Sequence, residues 1–269
     1  NVSAQSGSVS ATTASLSATA CTLSTLVGNW KFDGNGNNEV TGKPNAVTVG
    51  NAAFNSSGGK LNGYAYIPSS SDYVKIPYNS MFYLPNSFTV DFWFRQRSNQ
   101  SFFQDLVYKG SGLNNYNFRV FRQLWNEYNF GPIITGYTSV STGWWTQTSN
   151  PNQLSHNVWH HVAYIKSSSM SAYYLDGVET HSTTENSVAR TPAVDIIVGD
   201  SAVDTDIDEL KIYDRALSYG EILQNAGLAV KSKSSVVSKP KLKISKKQMA
   251  NVAESVSKLV EEIRKLLKK

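Results

Sequence analysis

Residues 26–228 predict an all-β chain folded as an antiparallel sandwich or barrel, and residues 245–269 predict a separate basic amphipathic helix. Three observations carry this. Apolar and polar residues alternate over short segments, as half-buried strands require. Turn residues recur about every 8–12 positions, with almost no helical period between them. After a Lys/Ser-rich linker, the apolar spacing changes to that of a heptad seam.

The elements follow in order. Residues 1–25 consist almost entirely of Ser, Thr, Ala, Val and Gly, an extended segment with no aromatic and no charge. Such a segment cannot bury enough to order itself, yet its Thr/Val content suits an added strand, so linker and donated strand both fit. Cys21 is the one cysteine; an internal disulfide is excluded, while simple packing and pairing between chains stay open. Within 26–228, Tyr64-Ala65-Tyr66-Ile67 and Tyr73-Val74-Lys75-Ile76 are short strands. Phe88 to Arg95 alternates, with Phe88, Val90, Phe92 and Phe94 on one face. Val158 to Lys166 and Ala172 to Glu179 are further strands separated by Ser167-Ser168-Ser169, and Asp195 to Gly199 and Ile207 to Tyr213 complete the set. Asp176-Gly177 supplies the positive φ angles of a type I′ hairpin turn. Ser218 followed three residues later by Glu221 is a capping box that opens one short helix. Residues 229–244 form a Lys/Ser linker containing Pro240. The final helix carries Met249, Val252, Val256, Leu259, Ile263 and Leu266 at a/d spacing, a seam for assembly with other protein subunits.

Composition narrows the function. The 269 residues are 40% hydrophobic and 12% aromatic, enough for a substantial core, and 17% charged, which is low. The balance is made up by Ser, Thr, Asn and Gly, as in many extracellular all-β modules, so an extracellular, cell-surface or virion-surface location is expected. From Lys231 to Lys269 there are 12 basic and 3 acidic residues, a local +9. Of the chain's 25 basic and 20 acidic residues, the first 230 therefore hold 13 and 17, a net −4. A basic body that tracks nucleic acid is excluded, and the basic tail expects an acidic partner: another subunit, a membrane surface or a nucleic acid.

Five separated blocks carry a resemblance. Val27-Gly28-Asn29-Trp30-Lys31-Phe32-Asp33-Gly34 comes first, then Phe88-Thr89-Val90-Asp91-Phe92-Trp93, then Trp159-His160-His161-Val162-Ala163. Tyr174-Leu175-Asp176-Gly177 and Ile207-Asp208-Glu209-Leu210-Lys211-Ile212-Tyr213-Asp214-Arg215-Ala216-Leu217-Ser218 follow. Over about residues 26–227 the chain resembles the laminin-G-like jelly-roll domains of the concanavalin A-like lectin/glucanase superfamily. The resemblance implies a two-sheet antiparallel jelly-roll sandwich of a kind that binds glycans or proteins or serves as a structural adhesion module.

Several residues are candidates for chemistry. The adjacent His160 and His161 face opposite sides of a strand and cannot grip one ion. Glucanases of this superfamily carry three carboxylates at alternate strand positions; here Asp206 and Asp208 fill two, but Leu210 occupies the third, and Glu209 is expected on the other face. Hydrolysis lacks its acid, and no enzyme is expected. Asp33 and Asn35 offer alternating oxygen ligands that Asp208 could close into a structural calcium site, while an Asn/Gly turn accounts for them equally. No cofactor is otherwise required. Trp125, Tyr128, Trp144 and Trp145 lie among Asn, Gly and Thr, where rings stack on sugars and amides bond hydroxyls; these are the glycan-contact candidates, with core filling as the alternative.

Two functions compete. One is a non-catalytic structural or adhesion subunit of a coat, filament or fibre, assembled through its terminal segments. The other is a lectin-like glycan-binding module multimerised by its C-terminal helix as a coiled coil. A membrane-surface helix is a third, disfavoured by the strict heptad spacing.

Overall fold

The computed structural model describes residues 26–98, 103–111, 115–125, 130–137, 146–147, 154–184, 186, 188–202 and 204–228. The chain falls into two compact units, Asn1–Ala229 and Val230–Lys269. The N-terminal segment, the linker and the assembly helix with its Met249–Leu266 seam lie outside the described residues.

Short strands open the fold: β1 (Leu26–Trp30), β2 (Val47–Val49), β3 (Ala53–Asn55), β4 (Tyr64–Ile67) and β5 (Tyr73–Ile76). Longer ones follow: β6 (Phe88–Gln96), β7 (Phe103–Gly110), β8 (Tyr116–Trp125) and β9 (Phe130–Tyr137), with the brief β10 (Thr146–Gln147). Then come β11 (Trp159–Lys166), β12 (Met170–Leu175), β13 (Val178–Thr184), β14 (Ile196–Val198), β15 (Thr205–Tyr213) and one helix, α1 (Tyr219–Asn225). The first sheet runs β13-β12-β11-β6-β15-β4-β3, with β1 also paired to β15; the second runs β10-β9-β8-β7-β14-β5-β2. The ladders are antiparallel. Placing β6 between β11 and β15, and β14 between β7 and β5, gives the crossed order of a jelly roll.

The expected Phe stripe is the centre of the core. Phe88, Val90, Phe92 and Phe94 of β6 point inward beside Val162 and Tyr164 of β11 and Ile207 and Ile212 of β15. From the second sheet Leu106, Phe118, Val120, Ile196, Val198, Val74 and Ile76 meet them, and Phe88 and Phe118 touch across the sandwich with ring centroids 5.7 Å apart. All of these are buried, each contributing roughly 1.5–3 kcal/mol of transfer free energy. A second, smaller cluster lies on the outer side of the first sheet, where Leu217 and Ile222 cover Ala163, Ile165, Ala172 and Tyr174. The capping box holds α1 there: the Ser218 backbone N–H and hydroxyl both donate to Glu221 at 2.8 Å, and Arg215 Nη1 donates to the same carboxylate at 2.9 Å. The hairpin turn is as expected, with Asp176 at φ 50° and Gly177 at φ 77°.

Candidate functional site

Because side chains alternate, β6 sends Thr89, Asp91, Trp93 and Arg95 to the outer face of the first sheet. Register fixes their neighbours. Trp159 of β11, Arg95 of β6, Asp206 of β15 and Tyr66 of β4 stand opposite one another in one row, and His161, Trp93 and Asp208 form the next. At the far end α1 and its approach close the face, where Thr89 Oγ1 donates to the Arg215 carbonyl at 2.8 Å. Among the described residues, the Trp159 end carries no such cover.

That open end is built around a buried charge. Asp206 is fully buried and accepts Arg95 Nε at 2.6 Å and Arg97 Nε at 2.9 Å. Burial raises the Asp206 pKa while the two bonded guanidiniums oppose the shift, and the arginine side chains are 20% and 32% exposed. Aromatic rings flank them. The Arg95 guanidinium lies 4.6 Å from the Trp159 centroid and 5.5 Å from that of Tyr64; Arg97 lies 5.5 Å from Tyr64 and 4.8 Å from Tyr66. Arg97 Nη2 donates to the Tyr64 hydroxyl at 2.7 Å, and the Tyr66 hydroxyl donates to Asp204 at 3.1 Å. Burial, reinforced by Asp204, raises the Tyr66 pKa, so its phenol stays protonated. The result is a fixed ladder of rings and cations, partly exposed, with outward N–H donors. Flat apolar faces beside oriented polar groups are what a sugar ring and its hydroxyls can use.

The other sequence candidates fall as follows. Trp125 ends β8, and Tyr128, Trp144 and Trp145 lie outside the described residues. Asp33 Oδ1 accepts the Gly63 N–H at 2.7 Å, while Asp208 Oδ2 accepts those of Lys60 and Leu61 at 2.8 and 3.0 Å, so the two carboxylates anchor opposite ends of one loop. Asn35 closes its own turn, accepting from the Asn37 N–H at 2.9 Å. No group of three or more His, Cys, Asp or Glu arranged for a metal occurs among the described residues. His160 and His161 face opposite sides, as expected: His160 packs by Phe94 of the core stripe, and His161 sits edge-on to Trp93, 5.1 Å away.

The placement of Glu209 needs correction. The β15–β6 register slips between Asp208 and Lys211, a bulge at which Glu209 takes φ 51°. The extra residue brings the Glu209 carboxylate to within 3.0 Å of Lys211 Nζ rather than sending it to the opposite face. Leu210 consequently enters the core. Burial, with a further push from the Glu209 charge, raises the Asp208 pKa to about 7. Sequence reasoning also passed over Tyr64, Trp93, Arg95 and Trp159 as site residues. The signal for Trp93 was present, since it alternates out of phase with the Phe stripe.

Two crossed antiparallel sheets, one bearing an aromatic and polar outer face, define a concanavalin-type sandwich. The Laminin_G_3 family model, described as the concanavalin A-like lectin/glucanases superfamily, matches residues 68–223, and the chain belongs to this family. No curated protein matches the chain by sequence. Among solved structures it is similar to domain 4 of AbnA, a GH43 extracellular arabinanase from Geobacillus stearothermophilus, in complex with arabinotriose. The TM-score is 0.57 at 20% identity, covering 76% of this chain and 98% of that one. Trypanosoma rangeli sialidase matches at TM-score 0.53 and 15% identity, over 74% of this chain but 32% of the sialidase. The binding domain of botulinum neurotoxin serotype G matches at TM-score 0.51 and 13% identity, over 76% of this chain and 51% of that one. These likenesses establish the fold. No helix among the described residues is long and apolar enough to cross a membrane.

Proposed function

We propose that the chain is a non-catalytic, lectin-like glycan-binding module, displayed on an extracellular or particle-surface assembly to which its terminal segments attach it. The Trp159–Arg95–Asp206–Tyr66 row carries this reading. A row of charged and aromatic groups on the outer face adds nothing to the core, and its partly exposed rings and donors suit a saccharide. The arabinanase domain, whose solved complex holds arabinotriose and which this chain spans almost completely, supports the same reading. Against hydrolysis stands Asp206, clamped by two arginines.

The test is binding of the full chain to immobilised neutral oligosaccharides, arabinotriose among them, with W159A alongside and with EDTA as a second arm. Wild type is expected to bind and W159A to lose about tenfold, the scale of one lost stacking contact. Equal binding by W159A moves the site elsewhere, and W144A and W145A then report on the loop aromatics around Trp125 and Tyr128. Loss with EDTA would mean that binding needs a bound divalent cation. No binding to any sugar favours the second reading, a structural subunit assembled through the heptad seam of residues 245–269.

A further inference from the structure

Trp93 is a large aromatic on the outer face of a sheet and belongs to neither buried cluster. It is nevertheless only 7% exposed. The Lys60 ammonium lies 3.8 Å from its ring centroid, while the Lys60 side chain is itself exposed. The loop that brings Lys60 there begins at Gly58, at φ 89°, and Gly59. A side chain at Gly59 would run into the Gly63 carbonyl and Asp208, so the loop passes over the sheet as bare backbone. Its next residue, Leu61, is 54% exposed. The indole is thus covered by the Lys60 side chain and by the loop backbone that Asp208 holds.

The surroundings of Trp93 hold buried polar groups that make no aligned hydrogen bond. His161 and Asp91 are fully buried beside it, and neither His161 ring nitrogen nor Asp91 Oδ2 has a hydrogen-bond partner among the described residues. His161 Nε2 and Asp91 Oδ2 are 3.1 Å apart but misaligned. Buried polar atoms left unpaired are costly, which makes a cluster of them beside an out-of-core indole a candidate for a function outside the fold's own bonding.

We propose that Trp93 is a second stacking subsite for a neutral saccharide ring, held closed in the free protein by Lys60. The proposal rests on the lectin reading and extends its platform. Trp93 lies one strand across and two residues along from Trp159, roughly 8 Å away on ordinary sheet spacings. That is the reach of a short oligosaccharide rather than of one sugar. A ring arriving over Trp93 displaces the ammonium, presents its C–H face to the indole, and turns hydroxyls toward Asp208, His161 and Asp91. The ligand is neutral because the lysines and arginines of this face are matched by Asp91, Asp204, Asp206, Asp208 and Glu209, leaving no excess charge for a polyanion.

The experiment titrates the full chain, K60A, W93F and the K60A/W93F double variant with maltotriose, cellotriose and xylotriose and with the corresponding monosaccharides. K60A is expected to bind a trisaccharide about fivefold more tightly than wild type, the value of one exposed cation–π contact no longer displaced. Monosaccharide affinity should not change, and the gain should disappear in the double variant. In the free proteins, acrylamide should quench K60A more than wild type, with the extra quenching absent once Trp93 is Phe. If K60A and wild type bind trisaccharides alike while W159A loses them, the Trp93 subsite is wrong and the Trp159 platform stands. If no protein binds any trisaccharide, both are overturned together.

Discussion

Asp208 sits where the strand alternation of β15 breaks, and it holds the loop over Trp93 by accepting two backbone N–H groups. Its carboxyl is pushed up to about 7 by burial first and by the Glu209 charge besides. A carboxyl whose folded pKa exceeds its unfolded one favours the folded state most when protonated. Its contribution is complete below about pH 4 and is lost as the pH climbs through 7. D208N keeps a neutral group there, at the cost of some accepted hydrogen bonds. The stability advantage of wild type over D208N in urea unfolding should therefore shrink from pH 5 to pH 7, by at most about 1.4 kcal/mol per pH unit for one proton. A difference that stays flat over that range would mean that Asp208 is fully ionised throughout. The bulge itself was not legible in the sequence. Alternation sends Glu209 away from Asp208, and no residue in Thr205–Tyr213 marks the slip, since the left-handed position is held by a glutamate rather than a glycine. Trp93, by contrast, was readable: the same alternation that placed the Phe stripe inside put Trp93 outside.

Among elements, the first sheet was far more legible than the second. β6 presents clean apolar alternation and its inward stripe is as expected, whereas β15 loses the alternation at its bulge. β7 and β8 went unread because their buried positions include Gln104, Lys109, Asn117 and Arg122 among Leu106, Phe118 and Val120. Buried polar side chains interrupt the period-two signal although the strands are regular, and burial lowers the Lys109 pKa to about 8. The hairpin between β12 and β13 shows the opposite case, where chemistry and geometry agree. Asp176 accepts the His161 N–H at 2.8 Å and meets His160 Nδ1 at 2.8 Å, tying the turn to β11. Gly177 turns at positive φ, and a Cβ there would come within 2.8 Å of Leu228 and 3.0 Å of Leu223. G177A is accordingly expected to cost about 1–2 kcal/mol, from left-handed strain plus displacement of the residues after α1. Thermal unfolding of G177A beside G42A separates the two contributions. Gly42 has φ 75° with nothing near its Cβ position, so G42A reports strain alone. Equal losses in the two variants would remove the packing contribution.

At the scale of the whole molecule, the net charge of +5 divides into an acidic sandwich and a strongly basic tail. If the Trp159 row binds glycans, a face of this size gains modest affinity from a single copy, and multivalency is the usual remedy, since linked sites turn the second contact into an intramolecular one. The seam of Met249, Val252, Val256, Leu259, Ile263 and Leu266 is the part of the sequence suited to supply it. The full chain should therefore have a defined oligomeric mass by light scattering, and a chain ending at Leu228 should be a folded monomer. Measurement at two salt concentrations separates the two forces that could assemble the tail. An apolar seam holds at high salt, whereas docking of the basic tail on the acidic body of another copy weakens as the Debye length falls to about 3 Å at 1 M. If the oligomer survives salt and W159A weakens glycan capture about tenfold without changing its mass, recognition and assembly reside in separate parts of the chain. If both proteins are monomers at either salt concentration, the seam does not self-associate, and the tail's positive charge points to an acidic surface other than this chain as its partner.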